Sequence, residues 1–235
     1  MISIITPVLN GEKYIERNII SISKLRIDYE HIIVDGGSTD NTLTIVKKYS
    51  NVKIVYQIEK SGMYGAIDIG FKSAIYEFIT WVNYDDQIIP ANFEEAIKWA
   101  KKKNLDFVFG NAIVEWTHLK KTENHKSTHF GKYFLENGIL PFTQPASFYK
   151  REIYEIVQFN FVTYKVSGDL DFFMRIAKHK NIKFRFYNND LAIFYKDGES
   201  FGDKNYKTSL FELKSMGANP SLFVRFLFYI FRGLW

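Results

Sequence analysis

Two neighbouring carboxylates, Asp85 and Asp86, carry the sharpest chemical signal in the sequence. They follow an apolar run at residues 78–82 that predicts a buried strand ending just before them. Adjacent carboxylates repel one another, and a hard divalent cation such as Mg²⁺ or Mn²⁺ relieves that repulsion and takes its remaining ligands from phosphate and water. The pair could instead cap the next helix. Its position after a buried strand, in the same predicted sheet as Asp35, favours a metal site.

A further carboxylate, Asp169, lies just before an apolar helical run. It could serve as a general base if it faces the predicted ligand site. The alternative is structural: Ser167 would cap the helix, and Asp169 and Asp171 would complement the helix dipole, with Asp171 pairing with Arg175 one turn later. The spacing does not decide between these roles.

Small and polar residues follow two other predicted strands, at residues 6–11 and 35–40. Gly36 and Gly37 let the backbone approach a ligand closely, and Ser38 and Thr39 offer hydroxyl groups. In parallel sheets, ligands bind where loops leave the carboxyl ends of the strands, so we expect these loops to meet at one site.

The elements that must position these residues alternate in type through the first half of the chain. Apolar runs predict strands over residues 2–6, 30–34, 52–56, 78–82 and 106–109. Helical spacing predicts helices over residues 12–25, 39–49, 62–76 and 90–103. This alternation with short loops predicts a mostly parallel α/β sheet covered by helices on both faces.

The second half has a different pattern. Short strands are predicted over residues 111–117, 146–150, 182–186 and 191–195, with a helix over 167–179. Residues 117–128 are predicted to be a solvated or mobile polar loop, and the nearby His118, His125 and His129 lack the spacing of a metal site. We expect one compound domain.

Composition narrows the function classes. The 235 residues, 46% hydrophobic and 24% charged, suit a globular protein with a sizeable core and exclude intrinsic disorder. The absence of Cys excludes disulfide frameworks, thiolate zinc sites, iron–sulfur clusters and a cysteine nucleophile. The net charge of +5 suits a polyanionic ligand or an anionic membrane surface, and the scattered basic residues argue against nucleic acid. Without a signal peptide or a long apolar run, a cytoplasmic location is expected.

Six segments, in this order, resemble the glycosyltransferases of family 2, which have the GT-A fold. The segments are Thr6-Pro7-Val8-Leu9-Asn10, residues 34–40, Gly62-Met63-Tyr64, Asn83-Tyr84-Asp85-Asp86, residues 144–148 and residues 167–172. The resemblance covers residues 1–195. It implies a GT-A (Rossmann-like) α/β fold with a smaller antiparallel part on the acceptor side. It also implies inverting transfer of a sugar from a nucleotide donor, usually a UDP-sugar, to an acceptor hydroxyl.

The same resemblance assigns roles to individual residues. Those assigned to the nucleotide sugar are Thr6, Pro7, Val8, Asn10, Asp35, Gly36, Ser38, Gly62, Tyr64, Asn83 and Asp85. Asp86 matches the direct ligand of Mg²⁺ or Mn²⁺, with Asp85 near the ribose or the metal. Asp169 matches the catalytic base, and Gln144 and Pro145 match the acceptor site. Residues 1–110 would bind the donor, and residues 111–218 would bind the acceptor and carry the base. The Gln-x-x-Arg-Trp signature of processive synthases is missing, which favours transfer of a single sugar.

The C-terminal residues 219–235 predict an amphipathic helix. Arg225, Tyr229 and Arg232 share one helical face, and large apolar residues cover the others. Such a helix suits a bilayer interface, with its arginines toward anionic headgroups. It could equally dock on the core or on a second subunit.

These observations predict a metal-dependent inverting glycosyltransferase of bacterial surface polysaccharide synthesis, of the O-antigen or capsule type. By analogy with the family, its acceptor would be a glycan carried on a lipid, and the enzyme would be peripheral on the inner face of the cytoplasmic membrane. One rival is a nucleotidyltransferase, although residues 7–11 lack the basic residue expected in its first loop. Another is a catalytically silent subunit that binds nucleotide sugars.

Overall fold

A computed structural model describes residues 1–59, 61–197 and 204–233 of the chain. Within them, nine strands form one sheet: β1 (Ile2–Val8), β2 (Tyr29–Asp35), β3 (Val52–Tyr56), β4 (Phe78–Trp81), β5 (Gln87–Ile88), β6 (Phe107–Trp116), β7 (Lys121–His125), β8 (Ser147–Lys150) and β9 (Phe184–Lys196). The described helices are α1 (Ile15–Ser23), α2 (Thr42–Val46), α3 (Gly62–Lys72), α4 (Pro90–Lys103), α5 (Gly131–Glu136), α6 (Arg151–Ile156), α7 (Gly168–Ala177), α8 (Tyr206–Ser215) and α9 (Leu222–Gly233).

The strand order is β3-β2-β1-β4-β8-β6-β9-β5, and β7 pairs with β6. Strands β1 to β4 pair in parallel, and β8 runs antiparallel between β4 and β6. Because Val8 of β1 lies opposite Asp35 of β2, the loops after these strands leave the sheet at the same edge. The α/β architecture with a mostly parallel sheet is confirmed.

The core has two layers because buried strand residues alternate between the two faces of the sheet. Ile5 and Phe107 face the layer formed with α3 and α7, where Trp81 stacks on Phe173 at a centroid distance of 5.5 Å. Ile4 and Val108 face the opposite layer, formed with α1 and α4. The helices on both faces hold the carboxyl ends of the parallel strands in fixed positions.

Several predicted elements differ from the observed ones. The strands predicted over 106–109 and 111–117 are one strand, β6, and those predicted over 182–186 and 191–195 are one strand, β9. The ladder between them continues through register shifts next to Asn111, where polar residues interrupt the apolar pattern. Part of the predicted polar loop forms β7, which pairs with β6. The predicted division at residue 110 falls inside β6, so the two halves share that strand.

The C-terminal helix α9 packs against α5 with one face. The ring centroids of Phe134 and Phe228 are 5.1 Å apart, and those of Phe130 and Phe231 are 4.6 Å apart. The other face is open: Leu222 is 84% exposed and Tyr229 is 74% exposed. Arg232 was predicted to share a helical face with Arg225 and Tyr229, but its side chain lies outside the described part of the chain, as do residues 234–235. None of the described helices has the length and hydropathy needed to cross a bilayer.

Candidate functional site

The loops after β1 and β2 are bound to each other through short polar side chains. The Asn10 N–H donates to Ser38 Oγ at 2.9 Å, and the Thr39 N–H donates to Asn10 Oδ1 at 2.8 Å. Asn10 adopts a positive φ of 53°, which its short polar side chain tolerates. The buried Asp35 carboxylate accepts the N–H groups of Gly37 and Ser38 and so fixes the glycine-containing turn. The two loops therefore form one rigid rim.

Thr6 contributes to the site from the interior. Its hydroxyl lies 2.9 Å from His31 Nε2 and 3.3 Å from Asn18 Oδ1. Burial lowers the pKa of His31 to about 3, so its imidazole is neutral at pH 7. Asn18 Nδ2 in turn donates to the carbonyl oxygens of Asn83 and Asp86, each at 3.0 Å. This network holds the acidic turn after β4 against α1.

The two carboxylates of that turn have different environments. Asp86 is 0% exposed, and its Oδ1 accepts the Tyr195 N–H at 3.1 Å, whereas its Oδ2 is buried without a hydrogen-bond partner. Burial raises the pKa of Asp86 well above its ordinary value, and the charge of Asp85 adds to the increase. Asp85 is partly exposed and lines a small cleft with Arg17, Tyr195 and Asp197. The turn thus offers one accessible carboxylate and one buried carboxylate oxygen with unused bonding capacity.

These features fit a divalent cation. The described residues contain no group of three or more His, Cys, Asp or Glu side chains close enough to hold an ion by themselves. Mg²⁺ and Mn²⁺ in nucleotide sites take one or two carboxylates from the protein and the remaining ligands from phosphate and water. The unpaired Oδ2 of Asp86 and the accessible carboxylate of Asp85 are the oxygen donors that such an ion would use.

Arg17 was missed by the sequence analysis. Its guanidinium donates to the carbonyl oxygen of Asp85 at 2.5 Å and lies 3.6 Å from the ring centroid of Tyr195. It therefore places a positive charge beside the acidic turn. No local signal marks it, because its hydrogen-bond partner lies 68 residues away in the sequence.

The remaining residues assigned to the donor line the same edge. Pro7 and Val8 are buried at the end of β1, and Val8 packs with Ile15 and Ile33. Gly62 begins α3 with φ of 75°, a conformation that favours glycine. If these residues bind the donor as predicted, they would do so through their backbone more than through their side chains.

Asp169 lies in the first turn of α7, in direct contact with the donor-side helix α3. The Tyr64 hydroxyl is 2.9 Å from the Val166 carbonyl oxygen and 3.2 Å from Asp169 Oδ1, and it can donate to either. Gly168 allows this approach, because a Cβ there would lie 2.8 Å from Cε2 of Tyr64. Tyr64 is buried, and its hydroxyl contacts the carboxylate that is predicted to be the base.

The environment of Asp169 sets its basicity. Burial raises the pKa of its carboxyl group, and the negative charge of Glu212 adds to that increase. Hydrogen bonds from the Leu170 N–H and the Tyr64 hydroxyl oppose it, because they stabilise the ionised form. The carboxylate is consequently a stronger base than an exposed aspartate.

Replacing Tyr64 with phenylalanine is expected to raise the pKa of Asp169 further, because it removes a hydrogen bond to the carboxylate. A base must be ionised to act, so the acidic limb of the rate–pH profile should move to higher pH. The measurement is the initial rate, from pH 5 to 9, of the sugar transfer that the resemblance implies, with UDP affinity measured in parallel. An unshifted acidic limb with normal UDP affinity would contradict the coupling between these two side chains.

Glu212 of α8 fixes the loop that carries Asp169. The glutamate is 4% exposed, and its carboxylate accepts the backbone N–H groups of Lys165 at 2.7 Å, Val166 at 3.1 Å and Ser167 at 2.7 Å. Ser209 of the same helix bonds the Ser167 hydroxyl at 2.8 Å. The sequence analysis also missed Glu212, because it lies 45 residues beyond Ser167 and no recognisable motif surrounds it.

Replacing Glu212 with glutamine is expected to lower the free energy of unfolding by about 1–3 kcal/mol, because charge-assisted hydrogen bonds are lost from a buried site. It should also lower the pKa of Asp169 and move the acidic limb to lower pH, opposite to the Tyr64 variant. Chemical denaturation and the rate–pH profile measure the two effects. Replacing the exposed Glu155 with glutamine is the matched control and should change neither the stability nor the rate–pH profile. If Glu212→Gln behaves like this control, Glu212 does not fix the loop that carries Asp169.

Gln144 and Pro145, assigned to the acceptor, are buried in a short 3₁₀ helix before β8. Gln144 Nε2 donates to the Trp81 carbonyl oxygen at 2.8 Å, while its Oε1 is buried without a hydrogen-bond partner. The pair therefore lies at the end of β4, next to the acidic turn, and its role with the acceptor stays a prediction.

Comparison with known proteins identifies the family. The sequence profile described as "Glycosyl transferase family 2" matches residues 3–166 of the chain. The chain belongs to this family. It is therefore a glycosyltransferase, and the resemblance to the family is confirmed, whereas the roles assigned to individual residues stay predictions.

Relatives share the fold over most of the chain. An uncharacterized glycosyltransferase of Haemophilus influenzae is 24% identical over 99% of this chain and 96% of its own length. The poly(ribitol-phosphate) β-N-acetylglucosaminyltransferase TarP of Staphylococcus aureus is 24% identical over 77% of this chain, but only 60% of TarP is covered. The structure of an S. aureus TarS fragment with UDP superimposes with a TM-score of 0.69 at 21% identity, covering 94% of this chain and 66% of the fragment.

Proposed function

We propose that this glycosyltransferase moves one sugar from a UDP-sugar to a hydroxyl group of a glycan acceptor, with inversion at the anomeric carbon. The observation that carries the proposal is the acidic turn at the carboxyl edge of the sheet, where the buried Asp86 oxygen has no partner beside the accessible Asp85. Residues 1–110 would supply the donor side, and residues 111–218 would supply the base and the acceptor side.

The donor would lie along the rim formed by the loops after β1 and β2. Asp35 and Ser38 would orient the nucleotide, and the accessible Asp85 with Asp86 would hold the cation. A bound Mg²⁺ or Mn²⁺ would neutralise the charge that develops on the departing diphosphate. The Arg17 guanidinium, which contacts the Asp85 carbonyl oxygen, adds positive charge beside the same site.

Asp169 would act as the general base. Its carboxylate takes the proton of the acceptor hydroxyl while the oxygen bonds to the anomeric carbon and the bond from that carbon to the diphosphate breaks. Tyr64 keeps the carboxylate oriented, and the raised pKa makes proton transfer more favourable. Since the attack comes from the face opposite to the leaving group, the anomeric configuration inverts.

The test is turnover of UDP-sugars with Mn²⁺, Mg²⁺ or a chelator, measured as UDP release and as a glycosylated product. UDP-N-acetylglucosamine is the first donor to examine, because an S. aureus TarS structure contains it. We expect cation-dependent product formation with one UDP-sugar. Donor binding without turnover on any glycan acceptor would instead support the silent-subunit alternative.

We further propose that the acceptor is lipid-linked, in a surface polysaccharide pathway, and that α9 attaches the enzyme to the membrane. Support comes from its outward face, where Leu222, Phe223, Phe226 and Tyr229 are exposed side by side at helical spacing. The inward face is occupied by α5, so the exposed row is available for a bilayer.

Removing residues 221–235 is expected to move the protein from the membrane fraction to the supernatant, because the apolar face is lost. Phe223→Ser with Phe226→Ser should have the same effect and leaves the contacts with α5 in place. Fractionation of lysates followed by blotting measures both. Unchanged fractionation of both variants would refute attachment through α9.

A further inference from the structure

A basic patch lies at the carboxyl end of α7, away from the candidate site. Residues 178–185 contain Lys178, Lys180, Lys183 and Arg185, all exposed, and no acidic residue. Within the described parts of the chain, none of these four cations forms an ion pair. Lysines near a helix end complement its dipole, which accounts for Lys178. Lys183 and Arg185, in contrast, lie at the start of β9, beyond the reach of that effect.

The patch includes a depression with a cationic rim. Lys183 and Arg185 line it together with His129 and Lys132, and Phe184 and Phe186 contribute aromatic surface; its volume is about 530 Å³. The Lys132 ammonium lies 5.7 Å from the ring centroid of Phe184. No carboxylate lines the depression itself, and of its cations Lys132 pairs with Glu136 at 3.9 Å. Such a surface attracts phosphate-bearing ligands.

The depression is separate from the donor site. Asp169 lies in the first turn of α7, whereas the patch follows its last turn, and the helix has 10 residues. A rise of about 1.5 Å per residue places the two ends about 15 Å apart. The depression also shares no lining residue with the cleft at Asp85, so a nucleotide sugar held at the acidic turn does not account for the patch.

Helix α5 connects the depression to α9. Lys132 of α5 lines the depression, and Phe134 of the same helix packs on Phe228 of α9. His129 lines the depression as well, and the next residue, Phe130, packs on Phe231. Cationic and exposed apolar surfaces therefore lie on elements in direct contact, a combination typical of proteins bound at a membrane interface.

We propose that this basic patch binds the phosphate groups of anionic phospholipids and orients the enzyme on a bilayer into which α9 inserts its exposed face. The inference builds on the attachment through α9 proposed above and adds a lipid preference to it. The apolar helix provides affinity for any bilayer, whereas the patch makes that affinity depend on negative lipid charge and on ionic strength.

The experiment uses the full chain and sedimentation with vesicles of phosphatidylcholine alone or mixed with phosphatidylglycerol. We expect stronger binding to the mixed vesicles, falling as salt is added. The variant Lys180→Glu, Lys183→Glu, Arg185→Glu should reduce binding to the mixed vesicles by about 100-fold or more, since each cation near an anionic surface contributes roughly a fivefold factor. Binding to phosphatidylcholine should change little.

The matched control is Lys101→Glu, Lys102→Glu, Lys103→Glu on α4, which changes the net charge equally at another exposed site. An equal loss in this control would mean that only net charge matters, and would overturn the proposal. Equal binding of wild type and patch variant would also overturn it. A patch variant that binds vesicles normally but no longer binds inorganic polyphosphate would overturn the proposal as well, because it would indicate a soluble polyanionic partner.

UDP affinity of the same proteins separates this inference from the proposed function. If the patch variant keeps normal UDP affinity but loses vesicle binding, the result supports both the lipid inference and the proposed function. Wild-type protein that binds UDP-sugars but not anionic vesicles refutes the lipid inference alone. Charge-dependent vesicle binding without any UDP-sugar turnover refutes the proposed function alone.

Discussion

Replacing Asp169 with asparagine is expected to reduce the rate of sugar transfer by about 10³-fold, within the usual contribution of a general base. The amide has nearly the same shape as the carboxylate but cannot accept the acceptor's proton. UDP-sugar affinity should remain near that of the wild type, because the donor is held at the acidic turn and the rim of β1 and β2. Single-turnover rates and calorimetric titration with UDP measure the two quantities.

Asp171→Asn is the control for this prediction. Asp171 lies in the same turn of α7, but it is buried whereas Asp169 is partly exposed, and its carboxylate pairs with Arg175 at 2.8 Å. Its replacement should lower thermal stability and leave the transfer rate within a small factor of the wild type. A similar rate loss in both variants would show that the helix start, and not proton transfer, determines the effect.

Replacing Asp85 with asparagine is expected to abolish the stabilisation that a UDP-sugar gives in the presence of Mn²⁺. For the wild type, donor at about 100 times its Kd adds about 2.7 kcal/mol to the free energy of unfolding, or about 5–10 °C in Tm for a domain of this size. Without the accessible carboxylate, the cation and the diphosphate lose their shared contact with the protein. Thermal melts with donor, with and without Mn²⁺, measure the loss.

The variant Asp86→Asn distinguishes the roles of the two carboxylates of the turn. It should also lose the response to Mn²⁺, but its Tm without metal should rise, because a buried carboxylate oxygen without a partner is replaced by a neutral group. Asp28→Asn, an exposed aspartate at the opposite edge of the sheet, is the control and should behave as the wild type. Full Mn²⁺-dependent stabilisation in Asp85→Asn would exclude this turn as the metal site.

The parallel half of the fold could be predicted because its signals are local. Val52–Tyr56 and Pro90–Lys103 were predicted with the observed bounds, since an apolar run interrupted only by Lys53 defines the strand and a proline in the first turn defines the helix start. The long strand β9 was predicted as two because Asn188, Asn189 and Asp190 interrupt its apolar pattern. In the fold they lie near the register shifts of the β6–β9 ladder, which only the pairing partner reveals.

In the candidate site, too, the residues with a local sequence signal were predicted and those without one were not. Carboxylates at strand ends were visible in the sequence because they follow buried runs directly. Asn18, Arg17 and Glu212 were not, because each acts on backbone groups 45–68 residues away and no local pattern encodes that distance. The residues expected to do the chemistry were thus easier to predict than the residues that hold them in place.

The position of β8 has a consequence for synthesis on the ribosome. Residues 147–150 pair with β4 on one side and with β6 on the other. Until they leave the exit tunnel, the emerging chain has β1 to β4 available but exposes the edge of β4, and an unpaired edge invites wrong pairing between nascent chains. The second half of the chain therefore completes the sheet that the first half begins, and a chain truncated before residue 147 is expected to be prone to aggregation.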